Sequence, residues 1–171
     1  SSSAASDVYK RQAVLGIGGV RILQALGFTI REYHLNEGHS ALLGVELLRR
    51  YAIPLAELRP GESPYDLHRV RDLCNFTTHT PIEAGHDKFA YELVEQVIDE
   101  IIARPVLHSL GGEERLNMTR LALNLSEYVN GVAIRHAETS ARMFPGYHVR
   151  AITNGCLLYT SPSPRDRTRS R

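Results

Sequence analysis

The 171-residue sequence predicts an α/β fold, a parallel sheet of short strands with helices on both faces. Three observations carry this. Apolar residues recur with a helical period in several stretches, short runs rich in β-branched and aromatic residues stand between them, and polar residues gather where those runs end.

The elements follow in order. Residues 17–26 (IGGVRILQAL) put Val20, Leu23 and Leu26 on one helical face, with Gly27 as the natural C-terminal cap. FTIREYHL (28–35) reads as a strand running into Asn36-Glu37-Gly38. A buried helix follows over 39–51, carried by Leu42, Leu43, Val45, Leu47 and Leu48 and stopped before Pro54. Ser63-Pro64 predicts the start of another helix, since serine caps and proline suits the first turn. CNFTT (74–78) is a short strand ended by His79-Thr80-Pro81. Phe89, Leu93, Val97 and Ile101, in steps of four, predict an amphipathic helix over 87–102 that Arg104-Pro105 ends. Residues 116–129 are predicted helical, 129–133 a turn or short strand, 136–144 a short helix, and 148–152 the last strand, which runs into Thr153-Asn154-Gly155. On such a sheet ligands bind beyond the carboxyl ends of the strands, here 34–39, 77–81 and 152–155.

Composition narrows the function. A net charge of +1, 43% hydrophobic and 23% charged residues describe one globular domain large enough to bury a core. No apolar run reaches the ~18 residues of a membrane span. Cys74 and Cys156 stand far apart without CxxC spacing, which excludes a disulfide framework and a structural zinc site and suits a reducing, cytoplasmic setting. The first twelve residues, SSSAASDVYKRQ, and residues 156–171, rich in Ser, Pro and Arg, break with the composition between them. Both read as non-native or disordered flanks of the kind left by translated adapter sequence, leaving one partial domain over 13–155. The basic tail has no interleaved aromatics, so neither a nucleic-acid partner nor a membrane is expected.

Several motifs offer chemistry. Gly16-Ile17-Gly18-Gly19 lacks a preceding strand and the third glycine of a dinucleotide fingerprint, and reads better as small residues allowing close helix packing. His34, Glu37 and His39 include the residue types of a metal site, but their spacing does not compel convergence, and no metal is expected. There is no G-x-S-x-G elbow, and neither cysteine sits in a nucleophile motif. What remains is a set of polar loop residues, Asn36, Glu37, His39, Thr78, His79 and Asp87, suited to hydrogen-bonding a hydroxyl-rich ligand. Asn36 and His79 read equally well as residues that satisfy loop backbone.

HLNEGHSALLGVELL (34–48), FTTHTPIEAGHDKF (76–89), LNMTRLALNLSEYVNGVAIRHAE (116–138) and ITNG (152–155) together resemble the α-glucan (glycogen, starch or maltodextrin) phosphorylases, especially the shorter prokaryotic type. The resemblance implies part of the N-terminal half of a two-domain GT-B glycosyltransferase, its sheet Rossmann-like with flanking helices. It further implies cleavage of terminal α-1,4-linked glucose by inorganic phosphate, with retention, to give α-glucose 1-phosphate. By the same resemblance His79 is the catalytic residue, at the glucose subsite, its backbone carbonyl stabilising developing positive charge and its imidazole contacting the sugar. Asn36, Glu37, His39 and Asp87 become substrate-binding residues, and Asn130 and Asn154 match motif asparagines of the loops. The implied partners are an α-1,4-glucan and phosphate, with homo-oligomerisation of the parent left open. The family's cofactor is pyridoxal 5'-phosphate, held through a lysine that neither Lys10 nor Lys88 matches, so this chain alone is expected to be inactive. A nucleotide-sugar glucan synthase of the same architecture and a non-catalytic carbohydrate-binding module are the alternatives.

Overall fold

The computed structural model describes residues 2–98 and 101–154; the tail at 156–171, with Cys156 and the boundary at Gly155, lies outside the described residues. Four parallel strands form the sheet, β1 (Tyr33–Asn36), β2 (Cys74–Thr78), β5 (Tyr128–Gly131) and β6 (Arg150–Ala151), in that spatial order. A two-stranded antiparallel pair, β3 (Lys88–Phe89) with β4 (Leu116–Asn117), stands apart from it.

The first segment departs from expectation. Residues placed outside the core by sequence form helix α1 (Ser2–Ala13), in which Tyr9 is fully buried with its ring 4.9 Å from that of Phe89. Over residues 4–13 of it only Tyr9, Gln12 and Ala13 are buried, too few to register as an apolar period. The helix continues through a wider turn (Val14–Gly18) into α2 (Gly19–Ala25). Gly27, at φ 82°, then closes α2: its N–H donates to Gln24 O and that of Phe28 to Leu23 O, the two bonds of a Schellman cap.

Gly16 has the packing role that its sequence suggests. A Cβ there would stand 2.6 Å from Leu43 N and 2.9 Å from Leu42 C, both backbone atoms of the next helix, α3 (Leu42–Arg50). Gly16→Ala should therefore cost about 1–3 kcal/mol as an overpacked contact. Urea unfolding of the variant checks this, and an unchanged midpoint would contradict the close approach.

The strand predicted over 28–35 begins only at Tyr33, whose N–H donates to Leu73 O where pairing with β2 starts. Helix α3 matches its prediction and buries Leu42, Val45, Leu47 and Leu48. The helix expected from Ser63 starts later, as α4 (Leu67–Asp72), because the Asp66 carboxylate accepts from Arg69 N–H at 3.0 Å and makes the better cap. Helix α5 (Tyr91–Ile98) is the amphipathic one. Arg104-Pro105 opens a further helix, α6 (Arg104–Gly111), rather than only closing one; proline in the first turn surrenders an N–H that has no partner there anyway. The helix predicted over 116–129 is the shorter α7 (Met118–Asn124), capped by Asn117, because β5 takes its end; α8 (Ile134–Met143) follows.

Strand order fixes where the helices lie. The strands cross the sheet in chain order without reversing, and right-handed crossovers, nearly universal for parallel strands, then put every connecting helix on the same face. Tyr33, Leu35, Cys74, Phe76 and Val129 point into that helical layer and are buried. The other face is not covered by helices among the described residues, so the prediction of helices on both faces holds for one. No helix of the described residues is long and apolar enough to cross a membrane.

Candidate functional site

The uncovered face forms an open cleft of about 610 Å³ whose lining comes from strands and loops alone. Residues alternate across a strand, so those opposite the core side chains line it. Register sets His34, Asn75 and Tyr128 in one row, and Asn36, Thr77, Asn130 and Arg150 in the next. Within the second row Thr77 Oγ1 donates to Asn130 Oδ1 at 2.9 Å, and between the rows the Arg150 guanidinium sits 4.7 Å from the Tyr128 ring centroid. Asn75 Nδ2 donates to Glu32 Oε1, which lies 3.9 Å from His34 Nε2.

At the carboxyl ends of the strands the cleft is closed by His79, which follows β2, and by Ile152 and Asn154, which follow β6. The Ile152 N–H donates to Gly131 O at 3.0 Å and that of Asn154 to Val132 O at 3.1 Å, tying this last loop to the end of β5. Asn36, His79, Asn130 and Asn154 therefore meet on one cleft. Asn130 is the least available of them, buried and bonded to Thr77.

The remaining sequence candidates lie elsewhere. Glu37 is not part of the cleft lining, its carboxylate accepting from the His79 N–H and the Thr80 hydroxyl, and His39 is exposed in the short 3-10 turn Gly38–Ser40. Asp87 does not line the cleft. It adjoins the separate β3–β4 pair, its Oδ2 accepts from Gln12 Nε2 at 2.6 Å, and its backbone carbonyl accepts from Met118 N–H. Glu32, Asn75 and Tyr128 went unnoticed in sequence, although each lies two residues from a candidate, His34, Thr77 and Asn130 in turn. His86 also went unnoticed: it is buried, Nδ1 is 2.8 Å from Thr119 Oγ1, and its ring meets Phe144 edge-on at 5.2 Å. Burial, partly offset by the Glu37 charge, holds its imidazole below the usual histidine range.

Among the described residues no three His, Cys, Asp or Glu side chains gather as a metal site. Burial pushes the Cys74 thiol up to about 12, which removes it as a nucleophile. Neither lysine lines the cleft: Lys10 is exposed on α1, and Lys88 Nζ is 3.0 Å from Glu83 Oε1. The residues present therefore do not fit a cofactor held as a Schiff base.

No family model matches the chain. The maltodextrin phosphorylase of Thermococcus litoralis is 36% identical to it over 158 residues, covering 90% of this chain and 18% of that protein. The chain is homologous to one stretch of the glucan phosphorylases. The glycogen phosphorylase of Mycobacterium tuberculosis is 31% identical over 188 residues, 91% of this chain and 21% of its own length. That of Aquifex aeolicus is 28% identical over 148 residues, 79% and 20% respectively. The chain thus spans about a fifth of the phosphorylases it matches. Ninety per cent of the chain is more than residues 13–155 contain, so the phosphorylase match reaches into at least one of the ends read as foreign.

Proposed function

We propose that the chain supplies one wall of the sugar cleft of a cytoplasmic α-glucan phosphorylase of GT-B architecture. The enzyme would transfer the terminal α-1,4-linked glucose of a glucan to inorganic phosphate with retention, giving α-glucose 1-phosphate. The observation that carries this reading is the meeting of Asn36, His79 and Asn154 at the carboxyl ends of parallel strands, in a chain homologous to phosphorylases. Two carboxamides and an imidazole supply both donors and acceptors, as sugar hydroxyls require. The His79 carbonyl is the group suited to a sugar centre that gains positive charge.

A sugar on this wall keeps its other face in water, so the chain alone would be inactive. Pyridoxal phosphate, the cofactor implied by resemblance, would be held by residues outside this chain.

A chimaera tests the reading. Residues 2–154 of this chain, with helix α1 and its buried Tyr9, replace the matching stretch of the Thermococcus litoralis enzyme, and glucose 1-phosphate is measured with maltoheptaose, phosphate and pyridoxal phosphate. The chimaera should turn over. His79→Ala keeps the main-chain carbonyl and loses the imidazole, so kcat/KM should fall about five- to tenfold, the scale of one neutral hydrogen bond. A folded chimaera that makes no glucose 1-phosphate would sink the proposal.

A further inference from the structure

Glu37 stands where the resemblance places a substrate-binding acid, yet its carboxylate is already engaged. Oε1 accepts from the backbone N–H of His79, from Thr80 Oγ1 at 3.2 Å and from Thr78 Oγ1 at 3.4 Å, and Oε2 accepts from Gly38 N–H at 3.3 Å. Three successive residues, the last of β2 and the first two of the loop after it, thus converge on one oxygen. The backbone of Glu37 is itself unusual. At φ 69° and ψ 167° it is the one non-glycine residue with positive φ among the described residues, a conformation that costs about 1–3 kcal/mol and persists only where its surroundings enforce it.

The surroundings do enforce it. The Glu37 N–H donates to Thr77 O at 2.9 Å, and Ser40 Oγ donates to Glu37 O at 3.0 Å. Behind the turn there is no slack: a Cβ on Gly38 would stand 3.0 Å from both N and Oγ1 of Thr119, and that hydroxyl is bonded to buried His86. Relaxing the Glu37 backbone would therefore push the Gly38 turn into α7.

We propose that Glu37 is a positioning residue for the sugar loop: its carboxylate clamps residues 78–80 so that His79 faces the cleft, and it does not contact the sugar. The strained turn at the end of β1 aims the side chain across to β2, where an unstrained residue would follow the strand direction. Hydrogen bonds to an ionised acceptor are about twice as strong as neutral ones, so the charge does what a glutamine could not. That the loop binds sugar rests on the function proposed above; the clamp does not.

Two readouts separate these. In the 171-residue chain, the His79 amide proton should resonate well downfield of ordinary loop amides and move upfield as acid protonates Glu37, in step with the Glu37 carboxyl carbon. Following that carbon distinguishes this titration from that of the buried His86, whose imidazole feels the Glu37 charge. Glu37→Gln should abolish both features and leave the Phe76 and Val129 amides in place. A His79 amide at an ordinary shift, or indifferent to the Glu37 carboxyl, overturns the clamp. The wild-type titration decides this even if the variant does not fold.

In the chimaera, Glu37→Gln should lower kcat, and adding His79→Ala should cost little more, because a loosened loop has already lost the imidazole. Independent, multiplicative losses would mean that Glu37 touches the sugar directly and would overturn the positioning role. An inactive chimaera would count against the glucan reading alone and leave the amide result standing.

Discussion

Phe76→Ala is expected to destabilise the chain by about 3–5 kcal/mol. Phe76 is fully buried in β2, an interior strand, and its register partners Leu35 and Val129 are buried on either side of it. Truncation removes a ring from the centre of a row whose two neighbours are held by ladder hydrogen bonds and cannot close in, so most of the cavity remains. Phe76→Leu keeps most of the volume and should cost less than about 1.5 kcal/mol. Urea denaturation of both variants checks the pair. Similar losses for the two would mean that the sheet tolerates repacking and is less rigid than this register implies.

The second large effect concerns Glu46, a glutamate with no solvent exposure in the middle of α3. Arg49 Nη2 lies 2.6 Å from its Oε1 and Arg21 Nη2 2.9 Å from its Oε2, and both guanidinium groups are about half exposed. Burial alone would push the carboxyl up, but the hydrogen bonds and charges of Arg21 and Arg49 outweigh it and hold it below the usual carboxylate range. The stability that this triad contributes is therefore present above the carboxylate value of the unfolded chain, ~4.3, and lost as pH falls through the lowered native value. Removing both cations by Arg21→Ala with Arg49→Ala orphans a buried charge. The cost should be about 3 kcal/mol at pH 7, the low end for a broken buried pair, since water can follow the shortened side chains inward. The orphaned carboxyl then prefers its proton, so the gap between variant and wild type should narrow as pH falls toward 4. A gap independent of pH would show that the arginines act by packing alone.

Legibility in the sequence followed the range of the interactions. Helix α3, strand β2 and the cap at Gly27 rest on neighbours within a turn or on local burial, and periodicity and cap chemistry reach them. Helix α1 was missed because, over residues 4–13, only Tyr9, Gln12 and Ala13 turn inward, and the partner of Tyr9 is Phe89, eighty residues on. The two-residue strands β3 and β4 are too short to show alternation. The same distinction runs through the site. Asn36 and His79 sit at strand ends and line the cleft, whereas Asp87 is drawn away by Gln12 and Glu37 is turned inward by a positive φ that no residue pattern encodes. The motifs carried the family; only coordinates separate a residue that faces the cleft from one that holds its loop.

Strand order also bears on how quickly the native state can be reached. No neighbouring pair in the main sheet is a hairpin: Tyr33 must find Cys74, and Asn75 must find Tyr128, across whole helical connections. Each such closure loses chain entropy before the ladder returns any hydrogen bonds, which makes parallel sheets of this kind slow to assemble. Until β5 docks, β2 has an unpaired edge, and collapsed intermediates with open edges find one another at micromolar concentration. Recovery from denaturant should therefore depend on protein concentration as well as on the stability of the finished fold.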